Sequence, residues 1–128
     1  MMKLYDHGES ELASFKELEG YLDRFIVLYT PETETTFFAR LSEVTVKPPE
    51  FLNKEVKSIV LSKGVSAEGN LVQKIIDNVK KGKKTMQEII EVMKKEDKRL
   101  RTIDNHTFME VDPKTEYEIF PIFQYLNK

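Results

Sequence analysis

Cysteine and tryptophan are both missing from the 128-residue chain. The absence of cysteine excludes disulfides, thiol nucleophiles, iron–sulfur clusters and cysteine-based zinc sites. It also favours a reducing compartment, so we expect a cytoplasmic protein. Without tryptophan, eight phenylalanines and five tyrosines must supply the large aromatic side chains of the core.

Long apolar runs are missing as well. The longest uninterrupted apolar stretch is Phe25–Tyr29, whereas a helix that crosses a bilayer needs about 20 apolar residues. Residues 1–9 lack the apolar segment of a signal peptide. We therefore expect a soluble protein that has no membrane partner.

Motifs for catalysis or ligand binding are also absent. His7 and His106 are the only histidines, and their wide separation favours two exposed side chains over a metal site shared with a carboxylate. No serine lies in G-x-S-x-G, and Gly64 and Gly69 are too isolated to form a phosphate-binding loop. The sequence predicts no catalytic residue, metal or cofactor, so we expect a protein that is not an enzyme. An acid–base pair among the 22 carboxylates is the enzymatic alternative.

The composition is that of one globular domain spanning residues 1–128. Hydrophobic residues make up 40% and charged residues 33% of the chain, which are ordinary values for a folded protein. An apolar stripe at steps of three and four predicts an N-terminal helix over about 10–24. Its members are Leu12, Phe15, Leu18, Leu22 and Phe25.

A short apolar run rich in β-forming residues predicts a strand at 25–30, and alternating apolar residues predict one at 35–41. The apolar residues Ile59–Leu61 predict a further strand at 56–62. Val44 and Val46 continue the alternation of the second strand in the opposite parity. A bulge or tight turn near Ser42–Glu43 accounts for this change, because a one-residue shift moves side chains to the other face.

A helix pair over about 67–80 and 85–97 follows, in which Ser66 is placed to cap the first helix and Thr85–Glu88 has capping-box spacing. Strands at 100–103 and 107–111 then flank an Asp-Asn turn and predict a C-terminal hairpin, with a further strand at 116–120. Strands grouped apart from helices predict an α+β fold, with an antiparallel sheet, an N-terminal helix and the central helix pair before the hairpin.

Charge is distributed unevenly along the chain. Residues 74–101 contain ten of the 20 Lys and Arg residues but only five Asp and Glu residues, whereas residues 1–56 have a net charge of −5. A basic face on and after the helix pair would bind acidic groups or phosphates. Its candidate residues are Lys80, Lys81, Lys83, Lys84, Lys94, Lys95, Lys98, Arg99 and Arg101. The structural alternative is that these lysines only favour helix C-termini and solubility.

Two binding functions are consistent with this charge map. Separate acidic and basic regions favour a small, non-enzymatic binding or regulatory protein that acts through a protein partner. The alternative is nucleic-acid binding, because two helices followed by a hairpin with an Asp-Asn turn resemble a winged helix, although residues 94–101 are short for its recognition helix. Open sheet edges would also permit a homodimer.

Overall fold

The computed structural model describes residues 2–6, 9–48, 55–81, 85–103, 106–112 and 114–122. Eight strands, two α-helices and one 3₁₀ helix cover most of these residues. In chain order they are β1 (Met2–Asp6), β2 (Glu9–Ala13), the 3₁₀ helix (Phe15–Tyr21), β3 (Phe25–Thr30), β4 (Thr35–Lys47), β5 (Val56–Glu68), α1 (Val72–Lys80), α2 (Met86–Glu96), β6 (Arg101–Thr102), β7 (Thr107–Val111) and β8 (Tyr117–Phe120).

The strands form one mixed sheet, so the predicted α+β fold with an antiparallel sheet is wrong. The strand order is β2-β1-β8-β3-β4-β5, and both β6 and β7 pair with the outer side of β5. All pairs are antiparallel except β1 with β8, which is parallel. This pairing brings the two ends of the described chain together in the sheet.

The predicted N-terminal helix over 10–24 is also wrong. Its residues divide between β2, the 3₁₀ helix and the turn before β3. Phe15 and Leu18 of the predicted apolar stripe are buried, because their spacing of three also suits one side of a 3₁₀ helix. Leu12 lies on β2 and is 68% exposed, which breaks the stripe. The predicted apolar stripe therefore describes a buried face only over the single turn from Phe15 to Leu18.

Strand β4 contains the predicted irregularity. Its pairing with β5 shifts between Leu41 and Glu43, which confirms the bulge inferred from the change of parity. A second shift lies between Phe38 and Arg40, opposite Lys63 and Gly64 of β5. Lys63 has φ of 55° there, a left-handed conformation that suits such a bulge.

Both predicted helices are present, but α1 begins at Val72 and not near residue 67. Strand β5 continues to Glu68, so Ser66 pairs in the sheet and does not cap a helix. Instead, Leu71 N–H donates to Thr36 Oγ1 at 3.1 Å and Val72 N–H donates to Asn70 Oδ1 at 3.1 Å. The predicted capping box of α2 is present.

The predicted C-terminal hairpin does not form, because β6 and β7 both pair with β5. Thr102 of β6 lies opposite Val65, and Thr107 of β7 lies opposite Leu61. Ile103 N–H donates to the Gly64 carbonyl at 2.8 Å between them. The two strands therefore follow one edge of β5 as a single interrupted strand.

Apolar side chains are buried on both faces of the sheet. Val27 and Tyr29 of β3 pack with the helix pair, whereas Ile26 and Leu28 pack with Phe15 of the 3₁₀ helix. Alternate residues of a strand point to opposite faces, so β3 lies between two cores. Among the described residues, no helix is long and apolar enough to cross a membrane.

Gly64 is required by the close approach of β5 to β4. A Cβ atom there would lie 2.1 Å from the Phe38 carbonyl oxygen and 2.6 Å from the Ala39 Cβ. We expect Gly64→Ala to lower the free energy of unfolding by about 3 kcal/mol, because backbone atoms must separate to relieve the overlap. Urea unfolding followed by circular dichroism measures this change.

Gly20→Ala is the matched control, since a Cβ atom at that position would have no neighbour within 4 Å. It should change the free energy of unfolding by no more than about 1 kcal/mol. Equal stability of Gly64→Ala and the wild-type chain would contradict the close approach.

Candidate basic groove

A groove lies where the end of β5 and the start of β4 meet the segment that joins α2 to β6. Its volume is about 690 Å³. We call it the basic groove, because three of its lining side chains are cationic. The lining residues are Thr35, Ser66, Ala67, Glu68, Asp97, Lys98, Arg99 and Arg101.

The buried carboxylate of Asp97 organises one wall of this groove. Arg99 binds it through two bonds, from Nε to Oδ1 at 3.0 Å and from Nη2 to Oδ2 at 2.8 Å. Lys74 of α1 donates from Nζ to Oδ2 at 3.2 Å. The Asp97 side chain is 8% exposed, whereas that of Arg99 is 57% exposed. The pair therefore has one buried member and one that faces solvent.

Local backbone geometry places these two charged groups. Asp97 ends α2 in an extended conformation, and its backbone N–H donates to the Met93 carbonyl at 2.9 Å. Its side chain also accepts from the Arg99 backbone N–H at 3.0 Å, which is an Asx turn. Gly69, at φ of 97°, leaves room for the guanidinium, because a Cβ atom there would lie 3.3 Å from Arg99 Nη1.

Hydrogen bonds decide the protonation of Asp97. Arg99 lowers the pKa of the Asp97 carboxyl far below its ordinary value through side-chain and backbone hydrogen bonds, and Lys74 acts in the same direction. The same contact raises the pKa of the Arg99 guanidinium. Burial opposes the ionisation of Asp97 but is outweighed by its donors. The carboxylate is therefore ionised throughout the neutral range.

The structure brings together only part of the predicted basic face. Lys98, Arg99 and Arg101 line the basic groove. Lys94 lines a second groove of about 290 Å³, where its ammonium contacts the Thr102 hydroxyl. Lys95 is exposed on α2.

Two further predicted lysines lie at the far end of the helix pair. Lys80 ends α1 and Lys81 follows it, whereas Lys83 and Lys84 fall outside the described residues. Helix α2 has 11 residues, which separates its ends by about 16 Å at 1.5 Å per residue. The described part of the basic segment therefore divides into Lys80 and Lys81 at one end of the helix pair and a second region at the other end, whose residues after α2 line the basic groove.

The winged-helix layout is not found in the described part of the chain. Its wing would be a hairpin, but β6 and β7 pair with β5 and not with each other. Between α2 and β6 there are four residues, Asp97–Leu100, which is too short for a recognition helix.

Several groove residues were not identified from the sequence. Asp97 was counted only as one of the acids of the basic segment, and Thr35, Ser66 and Glu68 belong to distant strands. Asp97 followed two residues later by Arg99 at a helix end was the one available signal, because Asp at such a position favours an Asx turn. His106 is exposed as expected, and His7 lies outside the described residues. No group of three or more His, Asp or Glu residues able to hold a metal occurs in the described ranges.

Comparison with known proteins finds no match. No family model, curated protein or solved structure matches the chain. The fold and the groove geometry are therefore the basis of the functional proposal.

The stability supplied by Asp97 should depend on pH. We expect Asp97→Asn to lower the free energy of unfolding at neutral pH by about 2 kcal/mol, because charge-assisted hydrogen bonds to Arg99 and Lys74 are weakened. The pKa of Asp97 is lower in the folded than in the unfolded chain, so its contribution is complete above the unfolded value of about 3.9 and is lost as pH falls below it. Urea unfolding at neutral and acid pH measures the difference.

Asp77→Asn is the control for this series. Asp77 lies on the exposed face of α1, where its carboxylate accepts from Gln73 Nε2 at 2.8 Å. Its replacement should cost less than about 0.5 kcal/mol. A stability gap between wild type and Asp97→Asn that stays constant down to acid pH would show that Asp97 does not act through its charge.

Proposed function

We propose that the chain is a small, non-catalytic binding protein that acts through a protein partner, and that the basic groove binds an acidic segment of that partner. The observation that supports this proposal is the gathering of Lys98, Arg99 and Arg101 around one groove. The absence of cysteine favours a reducing compartment, so we place the interaction in the cytoplasm.

Arg99 is held ready to bind a second carboxylate. Its bonds to Asp97 use Nε and Nη2 and leave Nη1, beside Gly69, for a further acceptor. Arginine binds carboxylates with a planar fork, so a fixed guanidinium gives direction as well as attraction. Because Asp97 is already buried and paired, Arg99 loses little side-chain freedom when a ligand arrives.

Lys98 and Arg101 supply the attractive charge. Both side chains are exposed, and neither makes an ion pair with another residue in the part of the chain that the structure describes. Three cations face two acids, Glu68 and Asp97, so the groove has a net positive charge. Such a surface attracts an acidic partner and sets its orientation.

The size of the cationic cluster favours an acidic protein segment over a nucleic acid. A nucleic acid is followed by a long basic groove with many phosphate contacts, but Lys80 and Lys81 lie at the opposite end of the helix pair from Arg99. A short acidic peptide needs only two or three cations.

The state of Asp97 supports a binding role over acid–base catalysis. A general base near neutral pH needs a pKa close to the working pH, whereas the hydrogen bonds to Arg99 hold the pKa of Asp97 far below its ordinary value. This carboxylate therefore positions a guanidinium and does not accept a proton from a substrate.

Charge reversal in the groove tests the proposal. We expect Lys98→Glu combined with Arg101→Glu to weaken binding of a labelled poly-glutamate peptide by about tenfold or more, since each exposed ion pair contributes up to about 1 kcal/mol. Fluorescence anisotropy at low and moderate salt measures this affinity, which should fall as salt rises.

Lys95→Glu is the control, because Lys95 is also exposed, on α2, but does not line the basic groove. A single-stranded oligonucleotide of the same charge serves as the competing probe. Tighter binding of the oligonucleotide than of the peptide would favour the nucleic-acid alternative. Absence of binding to either probe at low salt would contradict the basic groove as a binding site.

A further inference from the structure

Four of the residues that line the basic groove lie on one face of the sheet. Ser66 of β5 is directly opposite Arg101 of β6, and Glu68 of β5 is directly opposite Thr35 of β4. Residues opposite each other in an antiparallel pair have side chains on the same face, and so do residues two apart on one strand. The Ser66 hydroxyl and the Arg101 guanidinium therefore enter the groove from neighbouring positions.

The basic groove contains hydrogen-bond donors that no described residue uses. The Ser66 hydroxyl makes no hydrogen bond within the described ranges, and the two bonds from Arg99 to Asp97 leave Nη1 free. Lys98 and Arg101 are exposed and make no ion pair with a described residue. One hydroxyl, one edge of a fixed guanidinium and two further cations are thus available to a ligand.

The charge of the groove is close to that of a phosphoryl group with the sign reversed. Lys74 binds Asp97 from α1, so four cations lie in or against the groove with two carboxylates, a net charge of +2. A glutamate side chain carries one negative charge on two oxygens. A phosphoserine carries a charge of about −1.5 to −2 at pH 7 on three acceptor oxygens. The groove therefore matches a phosphoryl group better than a single carboxylate.

We propose that the acidic segment bound by the basic groove carries a phosphorylated serine or threonine. Its phosphoryl group is held by Lys98, Arg99 and Arg101 and accepts a hydrogen bond from the Ser66 hydroxyl. Arginine clusters are a recurring means of recognising phosphorylated segments, because the guanidinium donates in the geometry that phosphate oxygens accept. Glu68 opposes any anion, but it is exposed and solvent screens its charge. This inference rests on the proposed function and names the chemistry of the partner.

Three labelled peptides that differ at one position test the inference. The position is phosphoserine, glutamate or serine, and fluorescence anisotropy measures each affinity for the full chain. We expect the phosphoserine peptide to bind about tenfold or more tightly than the glutamate peptide, because it adds a charge and a third acceptor oxygen. The serine peptide should bind most weakly.

Two variants examine the groove residues without removing a cation. Ser66→Ala should weaken the phosphoserine peptide by about fivefold and the glutamate peptide by less, because a hydrogen bond to a doubly charged group is the stronger one. Ser14→Ala is its matched control, since Ser14 is exposed and does not line the groove. Glu68→Gln should tighten the phosphoserine peptide by about threefold, because it removes a repulsive charge. A gain of affinity does not arise from misfolding.

Inorganic phosphate distinguishes the two sources of a phosphoryl group. It should displace the phosphoserine peptide only at concentrations at least about tenfold above the dissociation constant of the peptide, because the flanking residues add contacts. Displacement at or below that dissociation constant would overturn the peptide and assign the groove to the free anion.

Three further outcomes would overturn the inference. Equal affinity for the phosphoserine and glutamate peptides, with poly-glutamate still bound, would leave the proposed function in place and exclude a phosphoryl site. Equal effects of Ser66→Ala and Ser14→Ala on the phosphoserine peptide would contradict the hydrogen bond from Ser66. Absence of binding to every probe at low salt would contradict both this inference and the proposed function.

Discussion

At Gly64 the backbones of β5 and β4 approach closely, because no side chain lies between them. The arrangement of β6 and β7 along β5 depends on this approach. The bulge at Lys63–Gly64 lies between the two parts of one edge of β5, of which the later part pairs with β6 and the earlier part with β7. The Gly64 carbonyl also accepts from Ile103 between those strands. A larger residue at Gly64 would therefore disturb the sheet and the segment that carries the basic groove together.

The ion pair of Asp97 and Arg99 connects this framework to the proposed function. It lies at the junction of α2, β5 and the chain leading to β6, and Lys74 joins it from α1. Removal of one charged partner from a buried carboxylate lowers the free energy of unfolding strongly, because the remaining charge is buried without compensation. The hydrogen bonds of the Asp97 carboxylate therefore fix the end of α2 and also orient Arg99, the cation that we propose binds a partner. Asp97 thus contributes both to stability and to the proposed recognition.

Sequence patterns predicted elements best where the signal was local. The capping box at Thr85 and Glu88 is formed within one turn, and α2 begins where it indicated. The parity change near Ser42 is likewise a property of one strand, and the bulge was confirmed. The helix over 10–24 failed because two apolar residues at a spacing of three fit a 3₁₀ helix as well as an α-helix, and Leu12 belongs to a strand. The prediction that Ser66 caps a helix was wrong because Ser66 lies in β5, where its backbone pairs with β4.

By itself the sequence determined the absence of thiol chemistry, the helix pair, the presence of strands β3 to β8 and the position of the excess positive charge along the chain. These properties depend on composition or on neighbours within about one turn. Only the tertiary structure decided that β1 and β8 pair in parallel, that β6 and β7 share an edge of β5, and that Arg99 meets Lys98 and Arg101 in one groove while Lys80 lies elsewhere. Those contacts join residues far apart in the chain, and pairing between strands is chosen by the packing of the whole sheet.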